Sequence, residues 1–264
     1  MRKSLLALTL MASLVLAAPA GAITFGQLDG NRHPNVGALF ADYDPEVPGQ
    51  DLLCSGTLIS PTVFLTASHC TVFLPEVGVE PDEVFVTFDP MASDEDGAAL
   101  PSAELLPGTA VTHPDYAGHM KDPDIAVVIL DQPYTAAEPA ELPTLNFLNT
   151  INLRNQRFTA VGYGTVREDK RKGPNAFTFD GTRRFATQSF LSINRSWLTL
   201  NMNPSTGSGG TCFGDSGGPH FLGNTDLIVS ITVTGDAVCR ATDKTFRVDT
   251  ARARAFLSQF VAVP

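Results

Sequence analysis

Short runs dense in β-branched and other apolar residues recur along the chain at 57–59, 63–66, 84–88, 125–130, 158–161, 228–233 and 245–248, each broken by Gly, Pro or Asp. Runs of this length bounded by turn residues predict strands, and their number predicts an all-β fold. Helical spacing occurs at the end of the chain, where Phe256, Leu257, Phe260 and Val261 recur behind a capping Asp249 or Thr250. That segment predicts a terminal amphipathic helix. The stretch 131–143, with three prolines, reads as a linker between two β units of similar length.

The first 22 residues have a different pattern. Arg2 and Lys3 precede an apolar run over 5–18, and Ala20-Gly21-Ala22 supplies small residues for cleavage. This predicts an export signal and a mature chain starting at Ile23, since the apolar run is too short for an ordinary membrane span. Loss of Arg2 and Lys3 moves the formal charge from −10 to −12, a balance that disfavours nucleic-acid binding. The basic run Lys170, Arg171, Lys172 has no interleaved aromatic residues and reads as a solvated loop. No membrane association is expected after cleavage. At 264 residues and 43% hydrophobic content, the chain can bury one large domain or two small packed ones.

Four cysteines without a CxxC spacing fit disulfides in an oxidising compartment better than a metal site. Three pairings are possible. Separation along the chain favours Cys54 with Cys70 and Cys212 with Cys239, each worth ~3 kcal/mol in the chain-entropy model.

Candidate chemistry centres on Phe213-Gly214-Asp215-Ser216-Gly217-Gly218-Pro219, where glycines on both sides let a substrate carbonyl approach a serine hydroxyl. A Gly/Ser turn could have the same composition, so a base and an orienting acid are required. Leu65-Thr66-Ala67-Ser68-His69-Cys70 places a histidine at the end of an apolar strand. Pro123-Asp124-Ile125-Ala126 places a carboxylate at the start of another, where burial demands a committed hydrogen-bond partner. Asp115 and Asp122 lie in more polar, proline-flanked segments that read as exposed loop. His33, His113, His119 and His220 have no partner pattern and read as surface or structural residues. Glu76, Glu80, Asp82 and Glu83 read as a solvated acidic loop, because their spacing fits calcium poorly. No metal and no cofactor are expected.

These segments together resemble the trypsin-like serine proteases of the chymotrypsin fold. Thr66-Ala67-Ser68-His69-Cys70 matches the family's Thr-Ala-Ala-His-Cys except at Ser68, Asp124-Ile125-Ala126 matches Asp-Ile-Ala, and 214–219 matches the nucleophile motif without change. Weaker echoes occur at 54–59, 161–164 and 228–230. The resemblance implies two packed antiparallel six-stranded β-barrels with a C-terminal helix: a first barrel over 23–130, a linker over 131–145, a second barrel over 146–248 and the helix over 249–264.

It also implies roles. His69, Asp124 and Ser216 would be the catalytic triad of a secreted endopeptidase working through an acyl-enzyme, with Gly214 and Ser216 supplying the oxyanion N–H groups. Gly210 and Thr211 would sit at the base of the specificity pocket. Ser230 would support the acid, and Ile231 and Thr232 would pair with substrate, Thr232 narrowing the entrance. With no acid at 210, uncharged apolar or small substrate residues are expected. Ile23 stands where the family's activated terminus would pair with Asp215, although Thr24 and Phe25 depart from the usual Val-Gly. A monomer acting on polypeptides is expected. The rival reading is a protease homologue that keeps the fold as a binding module without turnover.

Overall fold

The apolar runs form strands whose register closes two barrels. In a computed structural model, residues 23–47, 49–118, 120–167 and 177–264 are described. The expected export signal, His119 and the basic run 170–172 lie outside the described residues.

The first barrel contains β2 (Val36–Ala41), β3 (Asp51–Ser60), β4 (Val63–Thr66), β5 (Val84–Thr87), β6 (Leu106–Thr112) and β7 (Ala126–Leu130). These close in the order β2-β3-β4-β7-β6-β5. The second contains β8 (Arg157–Gly162), β9 (Arg184–Ile193), β10 (Trp197–Asn201), β11 (Pro219–Leu222), β12 (Ile228–Gly235) and β13 (Thr242–Arg247). Its order is β9-β10-β13-β12-β11-β8, closed by a β8–β9 pairing, and the short β1 (Gln27–Leu28) adds to the outer edge of β9. Every strand pairing is antiparallel. The two six-stranded barrels expected from the sequence are therefore present. Closure leaves the barrel strands without open edges and packs alternate side chains inward.

One apolar core runs through both barrels. Phe40, Phe64 and Leu65 from the first share a cluster with Tyr163, Phe221, Ile231 and Phe246 from the second. All six residues of β2 are buried, because this strand lies against β8 as well as facing its own barrel. Arg183, completely buried, crosses the junction. Its Nε donates to Asp29 Oδ2 at 3.0 Å, and its Nη1 donates to the carbonyls of Val36 and Phe88 and to the Tyr163 hydroxyl. Burial pushes the Asp29 carboxyl up, but hydrogen bonding and charge from His33, with the Arg183 charge, outweigh it and hold it below the usual range.

The predicted terminal helix is α2 (Ala251–Leu257), and the Thr250 side chain accepts from Ala253 N at 3.2 Å as its cap. Phe256 packs on the His113 ring at 4.8 Å between centroids. Arg252 reaches Asp115 at 3.2 Å and the Asp122 carbonyl at 3.2 Å. The helix that follows the second barrel thus seats on the first.

Candidate active site

The apolar strand β4 ends at Thr66, and the chain turns into a single helical turn, α1 (Ser68–Thr71), that carries His69. The Ser68 hydroxyl donates to Ile125 O at 2.6 Å, tying this turn to the residue after Asp124. Ser68 is where the sequence departs from the family pattern, and its hydroxyl makes that tie. On the other side Cys70 is disulfide-bonded to Cys54 of β3.

Asp124 is completely buried and holds the histidine at two points. Oδ1 accepts from the His69 backbone N–H at 3.0 Å, and Oδ2 lies 2.9 Å from Nδ1. A carboxylate can only accept, so Nδ1 carries the proton and Nε2 is the nitrogen able to take another. The imidazole is about one-fifth exposed, enough to be reached from the cleft.

The nucleophile loop is shaped by two glycines in the left-handed region. Gly214 has φ +93° and a Cβ there would lie 2.9 Å from Gly164 Cα; Gly217 has φ +76° and a Cβ would lie 2.1 Å from Thr66 Oγ1. No other residue fits either position without displacing its neighbours. Among the described residues, neither Gly214 N–H nor Ser216 N–H is spent on an internal hydrogen bond, and both residues are half-buried. Two backbone donors, at Ser216 and two residues before it, are thus left without an internal partner.

Asp215 points the other way, into the second barrel. Its Oδ1 accepts from Gly164 N and its Oδ2 from Cys212 N, each at 2.8 Å. Burial raises its pKa to about 7 despite these two bonds. Ile23 is also fully buried, packed with Ala160 and Ala186, at φ +50°. Among the described residues Asp215 is paired with no cation.

A cavity of about 240 Å³ has both His69 and Ser216 in its lining. Its walls include Thr211 and Cys212 on one side and Thr232, Val233, Thr234 and Gly235 on the other, with the Cys212–Cys239 disulfide across it. Besides His69, Asp236 is its one ionisable lining side chain, and that carboxylate is turned onto the backbone N–H groups of Arg240, Ala241 and Thr242. Three sequence expectations differ from this arrangement. Ser230 is buried and bonds the Thr245 hydroxyl at 2.8 Å instead of supporting Asp124. Ile231 lies in the core, off the cavity wall, which includes the expected Thr232 and continues to Gly235. Gly210 is buried off the wall, bridged to Thr24, and a Cβ on it would meet Gln188 Nε2 at 2.4 Å. Register shifts occur in β12 between Thr232 and Thr234, against β13, and opposite His220 and Phe221 of β11.

A group not foreseen from the sequence lies in the second barrel next to this wall. Asp243 pairs with Gly235 of β12. Its Oδ2 accepts from Gln188 Nε2 at 2.8 Å and lies 2.9 Å from His220 Nε2, and all three residues are completely buried. The three sit on different strands far apart in the chain, and Asp243 lies in the largely polar β13, Thr-Asp-Lys-Thr-Phe-Arg, so nothing local signalled them. Among the described residues, the metal-type donor cluster is Cys54, His69 and Cys70. Its two sulfurs are bonded to each other and cannot act as thiolate ligands.

A family model described as Trypsin matches residues 41–256. The chain is 26% identical over 199 residues to human kallikrein-8, covering 74% of this chain and 72% of that protein. It is 27% identical over 197 residues to mouse vitamin K-dependent protein C, covering 70% of this chain but only 41% of that longer relative. In three dimensions it superimposes on HL collagenase with a TM-score of 0.62 at 18% identity, covering 86% of this chain and 93% of that structure.

Proposed function

The chain belongs to the trypsin family of serine endopeptidases, and on that premise we propose that His69, Asp124 and Ser216 are its catalytic triad and that it cleaves exported or extracellular polypeptides as a monomer. The observation that carries the reading is the two-point hold of Asp124 on His69 at a cavity that Ser216 also lines.

Ser216 Oγ attacks the scissile carbonyl while His69 Nε2 takes its proton, and the N–H groups of Gly214 and Ser216 receive the developing oxyanion. Preorganised donors of this kind are worth ~3 kcal/mol each in the barrier. His69 then gives the proton to the leaving amine, which departs and leaves an acyl-Ser216. Water attacks that ester with His69 again as base, and the acid product is released as Ser216 regains its proton. Asp124 keeps the productive tautomer and stabilises the imidazolium, without itself taking the proton.

For the residue before the scissile bond, we favour uncharged side chains, apolar or small. Thr211, Thr232, Val233, Thr234 and Gly235 offer no charge, and the Asp236 carboxylate is committed to its own turn. Cleavage best after Arg in a chromogenic peptide panel would overturn this preference. Release of Ile23 as a free amino terminus on export would supply a cation for Asp215 and complete the active form.

A fluorophosphonate probe tests the whole reading. Rapid labelling of the processed chain, absent from Ser216→Ala, is expected. No labelling of correctly processed protein would favour the silent binding module instead.

A further inference from the structure

Ser55, in the middle of β3, is fully buried and belongs to the first barrel, yet most of its polar atoms are engaged with the active-site loops of the second. Its backbone N–H donates to Ser216 O at 2.9 Å. Its hydroxyl accepts from Tyr163 N at 3.0 Å and donates to Gly214 O at 3.0 Å. Its carbonyl accepts from the Thr66 hydroxyl at 2.9 Å, three residues before His69. The preceding residue, Cys54, is disulfide-bonded to the one following His69.

The direction of the hydroxyl proton follows from this network. A serine hydroxyl has one proton to give. Because Tyr163 N–H donates to Oγ, that proton is directed to Gly214 O. The adjoining peptide is held as well, since Phe213 O accepts from Thr165 N at 2.6 Å. In a trans peptide the C=O and N–H point in opposite directions, so a fixed Phe213 O aims Gly214 N–H away from Thr165. Both peptides flanking Gly214 are therefore held, the first by Phe213 O and the second at both ends, by the Ser55 hydroxyl on Gly214 O and by Asp215 N–H on Cys212 O at 3.1 Å. At φ +93° Gly214 has no side chain to resist a peptide rotation.

We infer that Ser55 is a positioning residue for the oxyanion site: its hydroxyl, together with the Asp215 N–H bond to Cys212 O, holds the Gly214–Asp215 peptide, and its backbone sets Ser216 in register with His69. This rests on the proposed triad but adds a component outside it, on the opposite barrel from the nucleophile. Ser55→Ala would leave Gly214 O and Tyr163 N without their shared partner and loosen the Gly214–Asp215 peptide, which then keeps only its N–H anchor on Cys212 O. The ground-state pocket would keep its walls, since Ser55 is not among the residues lining the cavity.

The test compares second-order labelling by a fluorophosphonate, whose phosphoryl oxygen occupies the oxyanion site, with inhibition by an uncharged product peptide that does not. Wild-type labelling first establishes the triad reading; its failure would remove that reading and this one together. Given wild-type labelling, Ser55→Ala should label roughly 10- to 100-fold more slowly, somewhat less than the loss from deleting an oxyanion donor outright. Its kcat should fall in parallel, with KM and the product-peptide inhibition constant within about twofold. Thr57→Val, two residues along the same strand at a buried hydroxyl with no partner, controls for destabilisation of β3 and should label at the wild-type rate. Ser55→Cys, close in shape but a weaker donor, should fall between wild type and Ala, and it serves as the decisive variant if Ser55→Ala does not fold. Labelling of the folded Ala or Cys variant within twofold of wild type, or an equal loss in Thr57→Val, would overturn the inference.

Discussion

Asp215 gives the most direct quantitative test, because in a chain continuous through Ile23 it is a buried carboxyl whose pKa is raised from 3.8 to about 7, burial outweighing its two backbone donors. Between about pH 4 and 7 the folded state then retains a proton that the unfolded chain has released. Stability must therefore fall as pH rises through that window. The gap corresponds to about 4 kcal/mol, of which about 3 kcal/mol is lost between pH 5 and 8. For a domain of this size that is a drop of about 6–12 °C in Tm. Cleavage before Ile23 changes the sign of the argument. A free ammonium near Asp215 would favour the charged carboxylate, and it would also release the φ +50° now imposed on a β-branched residue. The assay is urea unfolding at pH 5 to 8 on two chains carrying Ser216→Ala to prevent self-digestion, one starting at Ile23 and one with two alanines before it. The extended chain should lose stability across the range, Asp215→Asn should flatten that loss, and the chain starting at Ile23 should show little of it. Equal slopes for the two chains, or an Asp215→Asn slope equal to its parent's, would refute the reasoning.

Other outcomes follow from the geometry. Asp124→Asn keeps the space but can present a donor to Nδ1 and favour the wrong tautomer, so kcat should fall roughly 10⁴-fold in peptide hydrolysis with little change in Tm. Gly217→Ala must displace Thr66 Oγ1 or the Ser55 carbonyl, which its Cβ would approach to 2.1 and 2.6 Å; fluorophosphonate labelling should be nearly abolished even in folded protein. Arg183→Met leaves the buried Asp29 without its guanidinium and should cost about 3–5 kcal/mol in urea unfolding, with Asp29→Asn in the same chain recovering part of the loss.

The parts of the fold that repeat a local rule were legible in the sequence. Runs rich in Val, Ile and Leu became β4, β5, β7, β8, β12 and β13, and Thr250 caps α2 as its position before the terminal helix implies. Strands β2, β6, β9, β10 and β11 lie outside the predicted runs; in β6, Leu-Pro-Gly-Thr-Ala-Val-Thr is mostly half-buried and shows neither a continuous apolar run nor clean alternation. His69 and Asp124 were legible because each borders an apolar strand that leaves a polar group no inexpensive alternative to pairing. Of the expected wall, Thr211 and Thr232 line the cavity, whereas Gly210 and Ile231 are taken up by packing that depends on neighbouring strands. Ser55 and the Asp243, His220, Gln188 group stayed hidden for a related reason: each is an ordinary residue locally, and its role exists only once distant segments meet.

The seat of α2 on the first barrel bears on the order in which this molecule becomes dangerous. Synthesis delivers His69 and Asp124 early, Ser216 much later, and the contacts of Arg252 and Phe256 with Asp115, Asp122 and His113 last of all. If the proposed triad holds, a chain still emerging has a base and an acid without a nucleophile, and then a nucleophile in a barrel not yet clasped to its partner. On the proposed triad, hydrolytic competence would wait until the segment of Arg252 and Phe256 has seated on the first barrel.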